Sequence, residues 1–281
     1  MSPGWFVPAL VVLLMSLWPR GPEAPLRAGS LAPPPPPGTM LQVGEELTYK
    51  VKYLFLNLGS ITIRINDRRF VNGRARYAAT AFIDSRVPLI TDLHVRFDSQ
   101  FDERVFSYGW TAVDSTKDGV YVRNIQFDYD RDRMMVDRGE RTDSGYVVER
   151  ADTIALANHC QDGLSLYYYA REHVLERKEH NVPTVIDTEQ VNTYINFTTE
   201  LDEVSIGAVD YDVSVVGFDG RAEFVGIFGL TGGFEGWFSN DQARVPIVAY
   251  MNVIVGSIKV ELESWNRPGW SPPRPPGEED E

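Results

Sequence analysis

One cysteine, Cys160, is the only thiol in 281 residues, so no disulfide can form within the chain in any compartment. Histidine is nearly as scarce. The four histidines, His94, His159, His173 and His180, show no metal-ligand spacing, and His173 and His180 are expected to be solvated. Neighbouring side chains generally do not face each other, so His159 and Cys160 do not read as a thiol–imidazole pair. Basic residues are outnumbered: 27 Lys and Arg against 40 Asp and Glu give a formal net charge of −13. Non-specific binding to nucleic acid or to an anionic lipid surface needs a basic surface, so both are disfavoured and nucleic acid is not an expected partner. No internal repeat of roughly 20–50 residues is apparent, which argues against a propeller. No cofactor motif and no metal site is found. Asp128, Asp130 and Asp132 imitate the start of a calcium loop, but Arg133 stands where glycine is needed, leaving a charged turn.

At 43% hydrophobic, the chain has ample material for a core. Residues 1–40 lie outside it. Pro8 to Trp18 is an uncharged apolar run of export-signal length, well short of the roughly 20 residues of a membrane-spanning helix. The alternatives are an uncleaved anchor and a start at Met40. A proline-rich linker follows, with five consecutive prolines. From Arg267 to Glu281 the sequence reads as a proline-rich, acidic, disordered tail. The folded domain is therefore expected over residues 41–266. The protein is expected to be exported, in the periplasm or associated with the outer envelope.

Within that domain a period of two dominates. Tyr49, Val51, Tyr53 and Phe55 share one strand face and Ile61, Ile63 and Ile65 the next, with Asn57 to Gly59 as the expected turn. The alternation continues through Tyr77/Ala79/Ala81/Ile83, Leu93/Val95/Phe97, Tyr108/Trp110/Ala112 and Tyr121 to Phe127, then again from Val191 to Trp265. Roughly a dozen antiparallel strands result. One segment, Asp162 to Glu176, has helical spacing, with Leu164, Tyr167, Tyr168, Arg171, Val174 and Leu175 on one face. Asp162 is its expected N-cap, Ser165 completes the cap, and a mobile polar junction is expected near 178–190. The fold class is thus mainly β: a long antiparallel meander curled into a barrel or half-barrel, with one packing α-helix.

Three groups of residues, taken together, resemble an uncharacterised bacterial envelope family, the domain of unknown function DUF3108. They are Gly44, Glu45, Tyr49 and Gly59 in the first hairpin; Asp162, Ser165, Tyr168 and Arg171 in the helix; and Trp237, Asp241, Arg244, Pro246 and Gly256 near the end. The resemblance covers most of residues 41–265. It implies an exported β-rich domain, distantly similar in architecture to lipoprotein-carrier half-barrels, and it implies no activity.

The inward positions are aromatic as well as aliphatic, so the curved sheet is either a packed core or the wall of a cavity for an apolar ligand. Arg171, Asp241, Arg244 and Trp237 are the candidate residues. They either orient a ligand headgroup at a cavity mouth or hold a turn together. No nucleophile, base and acid fall together, so the protein is expected not to be an enzyme. The primary expectation is an envelope protein that binds or carries an apolar, lipid-like ligand, with peripheral membrane contact. The alternative is a structural or assembly component with a filled core, contacting other envelope proteins.

Overall fold

The computed structural model describes residues 40–277, apart from 88–90, 187, 199, 224–229 and 254–255. The apolar run Pro8 to Trp18, expected to be an export signal, the proline linker and the acidic last residues lie outside the described residues. Eight strands come first: β1 (Glu46–Tyr53), β2 (Leu56–Val71), β3 (Arg74–Val87), β4 (Thr91–Asp102), β5 (Ser107–Thr116), β6 (Gly119–Asp128), β7 (Arg133–Thr142) and β8 (Gly145–Ala155). Helix α1 (Gly163–His173) follows. Then come β9 (Glu179–Ile186), β10 (Glu189–Asn196), β11 (Leu201–Val204), β12 (Val213–Ala222), β13 (Leu230–Ser239), β14 (Pro246–Val253) and β15 (Ser257–Asn266).

The strands form one antiparallel sheet. Its order is β8-β7-β6-β5-β4-β3-β2-β1-β15-β14-β13-β12-β10-β9, with β11 beside β12. The last strand returns to the first, so β1 sits mid-sheet and joins the two series. Cross-strand rows such as Tyr49–Ile61–Ile83–Val95 and Leu47–Ile63–Ala81–Phe97 run along the concave face. Each large apolar side chain buried there contributes about 1.5–3 kcal/mol. Helix α1 lies over β3, β4 and β9. Small Ala79 and Ala81 on β3 leave it room, and Tyr168 packs 5.0 Å from the ring of Phe101.

The sheet is not closed. Between β8 and β9 the connecting segment fills the gap: Ser107 N–H donates to Cys160 O (3.4 Å), Gln161 N–H to Pro183 O (2.8 Å) and Val185 N–H to Gln161 O (2.8 Å). Gln190 also clasps the end of β8 through Ala155 O and Ala157 N. The architecture is a half-barrel, the second of the two curled forms expected.

Four local expectations are corrected. The first turn falls at Leu54 and Phe55, and Asn57 to Gly59 belong to β2. The register there skips Leu58 as a bulge, and a Cβ on Gly59 (φ +151°) would lie 2.0 Å from Asp84 O, so glycine answers a close strand approach, not a turn. Residues 179–186 of the expected mobile junction are strand β9. Ser165, which the helical spacing sets off the apolar face of Leu164, Tyr167, Tyr168, Arg171, Val174 and Leu175, is fully buried. The tail is ordered in its first part: Ser214 N–H donates to Pro273 O (2.8 Å), Tyr211 OH to Pro272 O (2.8 Å), and Trp270 packs edge-on to Trp265.

Candidate functional site

Three of the four candidate residues, Arg171, Asp241 and Arg244, converge at one end of the half-barrel, beneath α1. Arg171 leaves the helix on its buried face and is itself fully buried. Its Nη1 and Nη2 donate in a fork to Glu45 Oε1 (2.6 Å) and Oε2 (3.0 Å); Nη2 also donates to Ala243 O (2.9 Å) and Nε to Arg244 O (3.1 Å). Glu45, just ahead of β1, takes a second guanidinium from Arg267, which also donates to Met40 O (3.2 Å). Two arginines on one buried carboxylate stabilise it as an anion. Burial alone would raise the Glu45 carboxyl, but Arg171 and Arg267 outweigh it and hold it below the ordinary glutamate range. Burial pulls Arg171 down, and Glu45 more than reverses that, so its guanidinium stays charged.

Arg244 and Asp241 belong to the same end. Arg244 Nη1 donates to the carbonyls of Glu172 (2.7 Å) and Arg171 (3.3 Å), acceptors that the last helical turn leaves without helical partners. Asp241 Oδ1 accepts from Ser239 Oγ (2.9 Å), Ala243 N–H (2.8 Å) and Arg244 N–H (3.0 Å), and Oδ2 accepts from Trp270 Nε1 (2.6 Å). Together these bonds fasten the β13–β14 loop to the helix end and to the segment after β15. Trp237 is placed differently, edge-on to Tyr250 at 6.1 Å.

The helix start is held just as firmly. Asp162 Oδ1 accepts Leu164 N–H (2.8 Å) and Ser165 N–H (2.9 Å), while Ser165 Oγ accepts Asp162 N–H (2.9 Å), a reciprocal cap. Oδ2 reaches the sheet, accepting Ser99 Oγ and Ser107 Oγ at 2.6 Å each. Burial pushes the Asp162 carboxyl upward against these hydrogen bonds. The cap therefore also ties α1 to β4 and β5. Tyr49 and Tyr167 share a hydroxyl contact of 2.9 Å in the middle of this floor.

The other sequence readings have clear places. Cys160 is buried with Sγ 3.4 Å from Asn158 O, and burial pushes its thiol up to about 11. His159 is exposed, stacked 4.2 Å from Tyr129. Asp128 pairs with Arg131 and Arg133 at 3.1 Å, a charged turn. One cluster escaped the sequence reading: His173, Glu176 and His180 put ligand-capable atoms within 4.8 Å of one another. His180 is 7% exposed, not solvated. The signal was His-x2-Glu-x3-His across the helix end, which only a reversal of the chain makes meaningful.

The far end of the half-barrel differs in character. Leu54, Phe55 and Leu56 form the β1–β2 tip, with Leu54 73% and Phe55 89% exposed. A shallow depression of about 290 Å³ beside it is lined by Asn57, Leu58, Gly59 and Asp84. That is smaller than most ligand pockets and polar in part.

The model of the family described as "Protein of unknown function (DUF3108)" matches residues 48–263. The chain is similar to the crystal structure of a β-barrel-like protein of the domain of unknown function DUF1849 from Brucella abortus. Identity is 8%, coverage 80% of this chain and 97% of that chain, and the TM-score 0.49. It is also similar to a candidate lipoprotein from Parabacteroides distasonis, at 8% identity, 80% and 96% coverage and a TM-score of 0.31. No curated protein matches the sequence.

Proposed function

The chain belongs to the DUF3108 family of proteins of unknown function, and from that premise we propose an exported cell-envelope protein, not an enzyme, that binds an apolar, lipid-like ligand in its curved sheet. The observation that carries this reading is the contrast between the two ends. One end is closed by α1 and by charged groups bonded to one another. At the other, the buried face of β1 runs from Tyr49, in the row Tyr49–Ile61–Ile83–Val95, through Val51 toward the exposed Leu54-Phe55-Leu56 tip. Exposed apolar clusters of this kind mark contact with lipid, ligand or protein. Arg171, Asp241 and Arg244 then serve as the frame of the closed end, with no headgroup role.

A fluorescent fatty acid titrated into the full chain tests the proposal. Saturable binding is expected, weakened at least about tenfold when Leu54 and Phe55 are both changed to Asp, since the pair together loses about 1.4 kcal/mol or more of apolar contact. Absence of saturable binding by the folded protein overturns the ligand reading. A second reading is supported by the same closed end: a scaffold with a filled interior, using the apolar tip to contact other envelope proteins. That reading predicts no probe uptake, and recovery of a partner from envelope extracts that the Phe55→Asp variant loses.

A further inference from the structure

We infer that His173, Glu176 and His180 form a binding site for a divalent transition-metal ion of the zinc class, independent of any apolar ligand. The three residues come together because Arg177, at φ +52°, reverses the chain after α1 and brings the start of β9 back alongside the last helical turn. His180 Nε2 then lies 3.3 Å from Glu176 Oε2. Two ligands on a tetrahedral zinc at about 2.0–2.1 Å are separated by roughly 3.3–3.4 Å, so this edge needs no movement. His173 Nδ1 contacts the other carboxylate oxygen, Oε1, and both side chains are partly exposed and free to adjust.

A second observation points to a ligand. His180 Nε2 is a buried polar atom with no well-aligned hydrogen bond, Glu176 Oε2 standing at ion-pair distance only (3.3 Å), and its side chain is 93% enclosed, the complement of its 7% exposure. A buried imidazole nitrogen without an aligned hydrogen bond is costly unless something fills the place. The ring is already oriented for a metal: Nδ1 is 2.8 Å from Tyr169 OH, and Phe197 packs against its face edge-on at 5.1 Å. With Nδ1–H donating to the Tyr169 oxygen, the Nε2 lone pair faces the cluster, the arrangement that metal-bound histidines require. Two imidazoles and one carboxylate suit zinc, cobalt or nickel and not calcium or magnesium. Three protein ligands leave a fourth position for water. A bound ion would pin β9, the outer strand of the sheet, to the end of α1. Lys178 Nζ, 2.5 Å from Glu176 Oε2, competes for the carboxylate.

The test is a Co(II) titration of the untagged, chelator-stripped full chain, read as visible absorption and followed by displacement with Zn(II). One equivalent should give a saturating tetrahedral-type spectrum that zinc removes, and zinc should raise the Tm by several degrees. His173→Ala changes a partly exposed residue, so it should fold, and it should abolish the spectrum. Tyr169→Phe should weaken binding about tenfold through loss of the orienting bond, while Lys178→Ala should strengthen it and His94→Ala should leave it unchanged. A flat titration, or a spectrum that survives His173→Ala in a folded protein, overturns the site.

Discussion

An arginine as deeply buried as Arg171 is tolerated only with a carboxylate against it, because desolvating a lone guanidinium costs several kcal/mol. Glu45 supplies that carboxylate to Arg171 and Arg267 at once. Glu45→Ala should therefore cost about 3–5 kcal/mol, a Tm drop of roughly 6–20 °C in a domain of this size, measurable by urea and thermal melts. The pH dependence follows from the direction of the shift. The folded carboxyl lies below its ordinary value of 4.5, so its contribution is complete above that value and is lost as pH falls through the folded one. The stability gap between wild type and Glu45→Gln should then be wide at pH 7 and shrink in acid. A gap that does not change with pH would contradict the pairing. Asp162 has the opposite sign, since its raised carboxyl favours the folded state below 3.8 and loses that advantage as pH rises through its folded value. None of these pairings was readable in the sequence. Glu45 and Arg171 are 126 positions apart, and nothing local announces their contact.

At the scale of elements, local signals succeeded where the physics is local. The Asp162–Ser165 cap and the buried face of α1 are encoded within a dozen residues, and both formed as expected apart from the burial of Ser165 and Ala170 and the partial exposure of Tyr167. Asp162→Ala should cost about 2–4 kcal/mol, from the lost cap and from the buried hydroxyls of Ser99 and Ser107 left without an acceptor. A loss near 1 kcal/mol would mean that the cap acts alone. Signals failed where an element lacks one dry face. Strand β8 is exposed on nearly all its length, so no alternation marks it, and β9 is short, polar and interrupted by Pro183. The segment after β15 misled for another reason: proline removes donors but keeps carbonyls, and Pro272 and Pro273 accept hydrogen bonds from Tyr211 and Ser214. Removing residues 267–281 takes away Arg267 from Glu45 and Trp270 from Asp241. It should lower stability by about 2–4 kcal/mol in denaturant melts. An unchanged midpoint would return that segment to the status of a tail.

Across the whole molecule, the period of two and the single helical stretch were enough to give a curled antiparallel meander. They could not say that the last strand pairs with the first, because β1 and β15 are joined only by long-range register. Nor could they divide the curved face into a closed end and an apolar end. That division depends on where α1, the loop after β13 and the segment after β15 converge. The account rests on the apolar end being a binding surface. Native mass spectrometry of the protein purified from an envelope fraction tests this most directly, since it reports the processed mass and any bound molecule together. The account predicts a mass lacking the apolar leader, with a lipid-sized adduct that the Leu54→Asp, Phe55→Asp double variant loses. A processed, folded protein that carries no adduct under gentle conditions would contradict it.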